Sequence, residues 1–373
     1  AGPFGAVFFG HIGDRKGRKV TMYASLLMMG ISTSIIGILP PAASAGVGVV
    51  IVLQLMRLAQ CFGRGGTWGG GILMAYENVP ENKRSFYAAI PQIGLPIGFG
   101  LSSILIAVPT LLLPEDIFFT WGWRIPFLAA IILTLIVIRQ KGEMMETEDY
   151  KKAQAKLEAE EAEGKKHKVG FIPMVKGYWK TLLLGCGTRW VDGTFYNIFI
   201  VWILSYCINW LGMPLIQTYI ITIIACIFKI PFTLFGGWCA QKLGNTRTFV
   251  IGALASAVLS IPTLKVIELS KGNLAITIIG IVLGWSIAYN LIWAVISSLW
   301  SSYFETEVRY SGISFVYHVP SFLVAGMVPT ICTLLINYGK GDTIYVGIYS
   351  TVVALISAAC ALALKARHDR GEK

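Results

Sequence analysis

The sequence predicts an all-α, polytopic membrane protein, and three observations lead to this fold class. Hydrophobic residues make up 55% of the 373-residue chain, charged residues make up 14%, and the mean hydropathy is +0.66. A soluble domain carries about 25% charged residues. The apolar residues form runs of about 20, the length of helix that crosses roughly 30 Å of hydrocarbon. Lysines and arginines cluster in alternate loops, as they do in multi-pass membrane proteins.

Ten complete membrane spans are predicted after a partial apolar segment at the start of the chain. The chain begins with Ala1 inside the run AGPFGAVFF, and no signal peptide is visible. We therefore expect at least one earlier helix, which would bring the total to twelve. The predicted segments are 1–12 (partial), 20–39, 49–77, 86–108, 124–140, 179–208, 215–239, 247–266, 274–300, 309–338 and 343–365.

The charges of the loops predict how the spans are oriented. The loops of one face hold most of the lysines and arginines, whereas the other face holds PPAASAGVG at 40–48 and PEDIFF at 114–119. The positive-inside rule places the loops at 13–19 and 141–177 and the C-terminus in the cytoplasm of a cell (inner) membrane protein. The same distribution accounts for the net charge of +11. The predicted partner is therefore the lipid bilayer and not nucleic acid.

Residues 141–177 divide the chain into an N-terminal helical half, 1–140, and a C-terminal helical half, 178–373. This central loop mixes acidic and basic residues at helical spacing, which indicates a solvated cytoplasmic helix or a simple tether.

The two halves carry related motifs. Gly10–Gly17 matches Gly237–Gly244 at an offset of 227 residues, and Glu77–Arg84 matches Ser302–Arg309 at an offset of 225. Two matches at nearly one offset indicate duplicated halves. Transporters built in this way bind their substrate near the middle of the membrane, between the two repeats.

Signatures of enzymes are absent from the sequence. It contains no G-x-x-x-x-G-K-[ST] loop, no nucleophile elbow and no set of histidines and cysteines at metal-ligand spacing. The seven cysteines lie mostly within apolar runs and at no paired spacing. We therefore expect no enzymatic activity, no metal and no cofactor, and an ATP-driven pump is disfavoured on the same grounds.

Six motifs narrow the class of membrane protein. The loop GHIGDRKGRK at 10–19 resembles the cytoplasmic loop motif of the major facilitator superfamily of transporters. The others are RLAQCFGRGGTWGGGILMAYE at 57–77, PENKRSFYAAIPQIGLPIG at 80–98, WGWRIPF at 121–127, ETEDY at 146–150 and RYSGISFVYH at 309–318. Together they resemble the metabolite:proton symporter family of that superfamily, over nearly the whole chain.

The resemblance implies the major facilitator fold of two six-helix halves, a monomer, the proton as coupling ion and no prosthetic cofactor. Members of the family carry proline and betaine, shikimate, citrate, 2-oxoglutarate and related carboxylates. The chain departs from the family pattern at five positions. Cys61 replaces a glycine, Thr67 an acid, Glu148 a proline, Gln241 an aspartate and Ser302 a glutamate.

The resemblance also implies a cytoplasmic gate made of charged residues at helix ends. Such charges can pair in one conformation and separate in another. Basic residues that only set the topology are the alternative, but Asp14 and Glu77 have no role in a purely basic signal. Both acids are replaced in the second copy of the motifs. We therefore expect the corresponding group of charges in the C-terminal half to be weak or bonded differently. The predicted gate residues are Asp14, Arg15, Arg18, Glu77, Arg84 and Arg309.

Arg57 and Arg64 lie seven residues apart on one helical face, with Thr67 on the same stripe. Charges inside an apolar span face the protein interior and are functional by default. Extension of Arg57 to the membrane interface is the alternative. The glycines between positions 63 and 71 make this helix thin, so that another helix or a substrate can approach it closely.

Arg189 and Asp192 lie three residues apart on one face, with Tyr196 one turn further along. Asp192 is the only carboxylate near the middle of a predicted span, which makes it the best candidate proton carrier. A static structural ion pair is the alternative. Lys229 lies mid-span and is a second candidate for proton coupling, either neutral or paired with Asp192.

His318, Asn290 and Trp293 complete the candidate set. His318 is of a type that titrates near neutral pH, and a hydrogen-bonded core histidine is the alternative. Asn290 and Trp293 are polar and aromatic groups of the kind that line a cavity. The predicted substrate-binding residues are Arg57, Arg64, Thr67, Arg189, Tyr196, Asn290 and Trp293, and the predicted proton-coupling residues are Asp192, Lys229 and His318.

The charges predicted to lie inside the spans favour an anionic substrate, because four cationic side chains are accompanied there by a single acid, Asp192. Guanidinium groups bind carboxylates through paired hydrogen bonds. We therefore predict proton-coupled symport of a small carboxylate metabolite by alternating access. The alternatives are a zwitterion or sugar transporter or a uniporter of the same fold, and a transporter-like sensor or degenerate paralogue.

Overall fold

The computed structural model describes residues 1–41, 46–140, 146–162 and 171–372, and within these ranges the chain forms helices and no β-strand. The α-helices are α1 (Gly2–Lys16), α2 (Arg18–Ile38), α3 (Val47–Glu77), α4 (Arg84–Ala89), α5 (Gly94–Leu112), α6 (Glu115–Thr120), α7 (Ile125–Arg139), α8 (Glu148–Ala162), α9 (Phe171–Tyr196), α10 (Ile203–Asn209), α11 (Leu215–Leu243), α12 (Asn245–Leu269), α13 (Leu274–Ile281), α14 (Asn290–Ser301), α15 (Arg309–Leu323), α16 (Val328–Tyr338) and α17 (Ile344–Asp369).

Ten helical stretches of the described chain are long and apolar enough to cross a membrane. They are Arg18–Ile38, Val47–Glu77, Glu81–Leu112, Gly122–Arg139, Met174–Asn209, Leu215–Leu243, Asn245–Leu269, Leu274–Ser301, Arg309–Tyr338 and Ile344–Asp369. Each overlaps one predicted span, which confirms the all-α polytopic fold class. The predicted loop at 40–48 and the central loop at 141–177 lie partly outside the described residues. The described part of the central loop contains α8, a helix, which was one of the two alternatives for this segment.

The connection between α1 and α2 corrects the predicted loop at 13–19. Helix α1 continues to Lys16 and α2 begins at Arg18, so that Gly17 alone separates them. Gly17 has φ 102° and ψ 156°, a conformation that glycine adopts without the strain a side chain would bring. Gly244 joins α11 to α12 with φ 90° and ψ 152°. The two repeated motifs therefore produce the same one-residue turn.

The described chain forms two compact units. Unit 1 comprises Ala1–Asn78, Ile104–Lys176 and Phe304–His318, and unit 2 comprises Val79–Ser103, Gly177–Tyr303 and Val319–Lys373. In unit 1, α2 packs against α3 and α7, and α1 packs against α3. In unit 2, α12 packs against α14 and α17, and α11 packs against α4 and α14.

The glycine-rich stretch of α3 is a packing face, as its composition predicts. A Cβ atom on Gly65 would lie 2.3 Å from the backbone nitrogen of Ala6 in α1, which is too close for any side chain. The absence of a side chain therefore lets the two helix backbones touch.

Two helical stretches of unit 2 contain π-helical segments. One segment, Asn197–Trp202, follows α9, and the other, Val282–Ala288, separates α13 from α14. Such segments widen a helix locally and are frequent at functional sites. They lie close in sequence to Asp192 and Tyr289, so the backbone is irregular beside the buried ionisable groups described below.

Candidate functional site

Arg18 lies at the centre of a buried group of charges in unit 1. Its side chain is fully buried. The guanidinium donates hydrogen bonds to the carbonyl oxygens of Gly13 (2.9 Å) and Thr306 (2.8 Å). It also lies 3.4 Å from a carboxylate oxygen of Glu77 and 3.7 Å from one of Asp14. We call this group the unit 1 charge cluster, and its members are Asp14, Arg18, Glu77 and Arg309.

Arg309 supplies the second cation of the unit 1 charge cluster. Its Nη1 donates to Oε1 of Glu77 over 2.9 Å. One residue further along α15, the backbone N–H groups of Tyr310 and Ser311 donate to the two carboxylate oxygens of Asp14, over 3.2 and 3.0 Å. The start of a helix favours a negative charge of this kind. Two acids and two bases are thus buried together with no net charge.

Burial raises the pKa of Asp14 to about 6. Arg18 and the hydrogen bonds from Ser311 and Tyr310 oppose this rise, because they stabilise the ionised carboxylate. Protonation of Asp14 removes one of the two negative charges of the cluster and leaves a positive surplus. The charge balance of the cluster therefore depends on pH.

Residues 146–150, directly before and within the first turn of α8, cover the unit 1 charge cluster. The carboxylate of Glu146 accepts the backbone N–H groups of Arg18 (2.9 Å) and Lys19 (3.2 Å), which are the first residues of α2. Thr147 donates its hydroxyl to Oε2 of Glu77 over 2.7 Å. We call residues 146–150 the strap.

Tyr150 and Asp149 add three further contacts of the strap. The hydroxyl of Tyr150 donates to the carbonyl oxygen of Arg15 (2.9 Å), and its ring centroid lies 4.7 Å from Cζ of Arg18. A carboxylate oxygen of Asp149 lies 3.8 Å from Arg309. Sequence reasoning used the ETEDY motif only as a family mark and assigned these residues no role. The pair of acids at the start of α8 was the available signal.

The remaining predicted gate residues lie outside the cluster. The side chain of Arg15 is exposed, and Arg84 belongs to unit 2, where it lies 3.7 Å from Glu81. In the second copy of the motif, Gln241 accepts the N–H of Phe86 and donates its amide to the carbonyl oxygen of Asn82. The residue that replaces the loop aspartate is therefore bonded to backbone groups of residues 82 and 86.

Arg57 and Arg64 are both exposed within α3, whereas Thr67 is directed toward α2. Nη1 of Arg57 lies 3.4 Å from Oε1 of Gln60. Gln60 in turn donates to the hydroxyl of Thr33 in α2 over 2.6 Å. Thr67 donates to the hydroxyl of Ser25 over 3.3 Å.

A buried ionic group in unit 2 unites Arg189 and Asp192 with a residue from another helix. Arg189 forms an ion pair with Asp192, and the hydroxyl of Tyr289 donates to the other carboxylate oxygen of Asp192. Nη2 of Arg189 also lies 3.4 Å from the hydroxyl of Ser321. Asp192 is 1% exposed and Arg189 is 7% exposed. Sequence reasoning did not assign this hydrogen bond, which joins residues 97 positions apart.

Lys229 is fully buried in α11, and its Nζ lies 3.4 Å from the carbonyl oxygen of Trp285. It forms no ion pair with Asp192, and no carboxylate lies within 4.0 Å of its Nζ among the residues that the structure describes. Three aromatic rings surround this ammonium, and their arrangement is described below.

Asn290 and Trp293 are buried beside Lys229 and are bonded to neighbouring helices. The Asn290 amide donates to the backbone oxygen of Lys229 (2.8 Å) and to the hydroxyl of Thr233 (3.0 Å). Trp293 Nε1 donates to the carbonyl oxygen of Gln92 (3.1 Å), and the Gln92 amide donates back to the Trp293 carbonyl. Both predicted lining residues therefore hold helices together in this conformation.

Tyr196 and His318 lie in different units. Tyr196, in unit 2, is half-buried, with its ring centroid 5.9 Å from that of Phe99. His318, in unit 1, is buried with its ring centroid 4.9 Å from that of Tyr317, which stacks on Trp68 at 4.0 Å between centroids. The structure therefore places His318 in one unit, and Asp192 and Lys229 in the other.

The ten helical stretches of the described chain that are long and apolar enough to cross a membrane, and the charged groups buried within them, are typical of a multi-pass membrane protein with a functional site among its spans. The Major Facilitator Superfamily matches residues 1–329. The chain belongs to this superfamily, which confirms the family that the sequence motifs indicate.

Two relatives and one solved structure support the same assignment. The inner membrane metabolite transport protein YhjE of Escherichia coli (strain K12) is 33% identical over 99% of this chain and 82% of its own length. The shikimate transporter of the same organism is 31% identical over 97% and 81%. The proton:xylose symporter XylE bound to 6-bromo-6-deoxy-D-glucose superposes with a TM-score of 0.72 at 15% identity, over 97% of this chain and 83% of that one. The last likeness concerns the fold.

Proposed function

We propose that this chain is a proton-coupled symporter of a small organic anion, most simply a carboxylate metabolite, in the cell (inner) membrane. One observation supports this more than any other, namely the charge of the buried groups. Among the described residues of unit 2, the buried Asp, Glu, Lys and Arg side chains are Arg189, Lys229 and Asp192. Two basic side chains thus accompany one acid. With Lys229 protonated, this group carries a positive surplus, which is costly away from water and favours an incoming anion.

Arg189 gives a physical reason why an anion and a proton should bind together. Its guanidinium is paired with Asp192, and a substrate carboxylate must compete with Asp192 for it. A protonated Asp192 no longer carries the charge that attracts Arg189. Protonation therefore frees the guanidinium for the substrate, and each ligand increases the affinity for the other.

Arg64 is the proposed second ligand of the substrate carboxylate, since it is a cation exposed on a membrane-spanning helix. The other predicted residues keep their proposed roles. Arg57, Thr67, Tyr196, Asn290 and Trp293 would contribute to substrate binding, and Lys229 and His318 would contribute to proton coupling. Transport by this mechanism breaks no covalent bond, so no enzymatic activity and no cofactor besides the proton are required.

The unit 1 charge cluster is the proposed cytoplasmic gate. Its balanced charges are buried now and could each be solvated if the helices separated, which gives two alternative arrangements. The basic loop at 13–19, the central loop at 141–177 and the C-terminus would lie in the cytoplasm by the positive-inside rule. The halves 1–140 and 178–373 would be the two bodies of a monomeric transporter that works by alternating access. Arg15 and Arg84 would be further gate residues, at the cytoplasmic ends of helices of the first half.

The test is proton movement driven by substrate. The purified protein is placed in liposomes that contain a pH-sensitive dye, and a panel of carboxylates is added, with proline, betaine and a sugar for comparison. Internal acidification with a carboxylate is expected, and Asp192→Asn should abolish it. Asp342→Asn is the matched control, because Asp342 is another acid of unit 2 but lies outside the spans, paired with Lys265. Carboxylate uptake without acidification would indicate a uniporter, and acidification with the sugar or a zwitterion alone would overturn the anion assignment.

A further inference from the structure

The ammonium of Lys229 is enclosed by the rings of three aromatic residues of unit 2. Its Nζ lies 4.4 Å from the ring centroids of Trp285 and Tyr289 and 6.0 Å from that of Trp293. Lys229 and these three residues are each at most 3% exposed. The aromatic residues are spaced four positions apart along one helical stretch and include part of its π-helical segment. We call Trp285, Tyr289 and Trp293 the aromatic cage.

Ordinary lysine behaviour does not account for this arrangement. A lysine within a span usually extends its ammonium to the membrane interface, whereas Lys229 is 0% exposed. A buried ammonium also usually pairs with a carboxylate, whereas the polar partner of Lys229 among the described residues is the Trp285 carbonyl. The faces of the aromatic rings carry partial negative charge and attract a cation within about 6 Å. The rings therefore replace the missing carboxylate.

We infer that the aromatic cage is a binding site for alkylammonium groups that the chain fills with its own Lys229, and that this tethered cation excludes substrates with a cationic head group. Aromatic cages are the usual protein sites for quaternary ammonium groups. Lys229 is thus a specificity-determining residue, which favours plain anions over zwitterions such as betaine. The statement about transported substrates rests on the proposed function, whereas the statement about the cage does not.

Removal of the lysine side chain should open the cage to an external cation. Lys229→Ala deletes Cγ, Cδ, Cε and Nζ, and propylammonium has the same three carbons and one nitrogen. Titration calorimetry on the purified variant in detergent should show binding of propylammonium about tenfold tighter than binding of 1-propanol, its uncharged counterpart of the same size. A tenfold ratio corresponds to about 1.4 kcal/mol, within the range of a desolvated cation–π contact. The unaltered protein should bind neither compound at this site.

Two control variants separate the cage from other effects. Lys229→Met removes the charge but fills the space, so propylammonium should not bind. Lys242→Ala removes another lysine of α11, whose Nζ lies 5.3 Å from the ring centroid of Trp238 on the exposed surface, and it should create no site. Lys229→Ser is measured as well, in case the alanine variant does not fold. Equal affinity of the opened variants for propylammonium and 1-propanol would overturn the inference.

Transport of betaine completes the test. In liposomes, the unaltered protein should not take up glycine betaine, and Lys229→Ala should take it up down its concentration gradient, a movement that requires no proton coupling by Lys229. Alkylammonium binding is measured without transport, so a cage that binds propylammonium in a protein that moves no carboxylate would contradict the proposed function alone. A symporter whose opened variants ignore propylammonium would contradict the cage alone.

Discussion

Replacement of Asp192 by asparagine should make substrate binding independent of pH. In the structure, the carboxylate of Asp192 pairs with the guanidinium of Arg189 and accepts a hydrogen bond from the hydroxyl of Tyr289. If the substrate carboxylate takes the place of Asp192, one proton must bind for each anion. The dissociation constant of the unaltered protein should then rise about tenfold per pH unit once Asp192 is ionised. The asparagine side chain is neutral and does not compete with the substrate for Arg189. The dissociation constant of the variant should therefore not change with pH.

The assay is the binding of a radiolabelled carboxylate to the purified protein from about pH 5 to about pH 8, a range in which a coupled site can titrate. Asp342→Asn serves as the control and should keep the tenfold slope, since its carboxylate pairs with Lys265 outside the buried group. Two results would refute the competition between Asp192 and the substrate for Arg189. One is a dissociation constant that still rises tenfold per pH unit in Asp192→Asn, and the other is a dissociation constant that does not change with pH in the unaltered protein.

Three further predictions concern the unit 1 charge cluster, the strap and α3. The pKa of Asp14 in the folded protein is about 6, above the ordinary 3.8. Between these two pH values the folded state keeps a proton on Asp14 that the unfolded state has lost. The contribution of Asp14 to the free energy of unfolding should therefore fall by about 3 kcal/mol as the pH rises from the lower value to the higher. Comparison of thermal unfolding of Asp14→Asn and the unaltered protein across this range measures it. Glu146→Gln should weaken the start of α2 by about 1 kcal/mol and raise hydrogen exchange of its first amides about fivefold, whereas Glu148→Gln, which loses only a surface pair with lysine, should not. Arg64→Ala should weaken anion binding at least tenfold, as measured by equilibrium binding.

Each of these predictions has its own contrary result. Equal pH dependence of unfolding with and without the Asp14 carboxylate would show that its burial does not raise the pKa. Unchanged exchange of the α2 amides in Glu146→Gln would mean that the strap does not stabilise that helix end. Unchanged affinity in Arg64→Ala would reject a role for this residue in holding the substrate.

The positions of the spans could be predicted because a run of about 20 apolar residues is a property of neighbouring residues alone. The turn at Gly17 was visible only in part. Its motif indicated a loop, whereas a positive φ at one glycine suffices to join two helices. The repeat at Gly244 shows that the same local sequence produces the same local geometry.

The contacts of the site depend on residues far apart in sequence, which explains what sequence reasoning missed. Glu146 bonds to the backbone of Arg18 across 128 residues, and Tyr289 bonds to Asp192 across 97. No local spacing indicates such pairs. The members of the unit 1 charge cluster were named as gate residues from the family resemblance, and the acids Asp14 and Glu77 favoured a gate over a purely basic topology signal.

The central claim is that an anion and a proton cross the membrane together, and accumulation driven by a pH gradient tests it most directly. Liposomes that contain the protein are given an acidic exterior and a labelled carboxylate at equal concentration on both sides. The carboxylate should accumulate inside above its external concentration, and a protonophore should abolish the accumulation. Equal concentrations on both sides at every time, unaffected by the pH gradient, would contradict it.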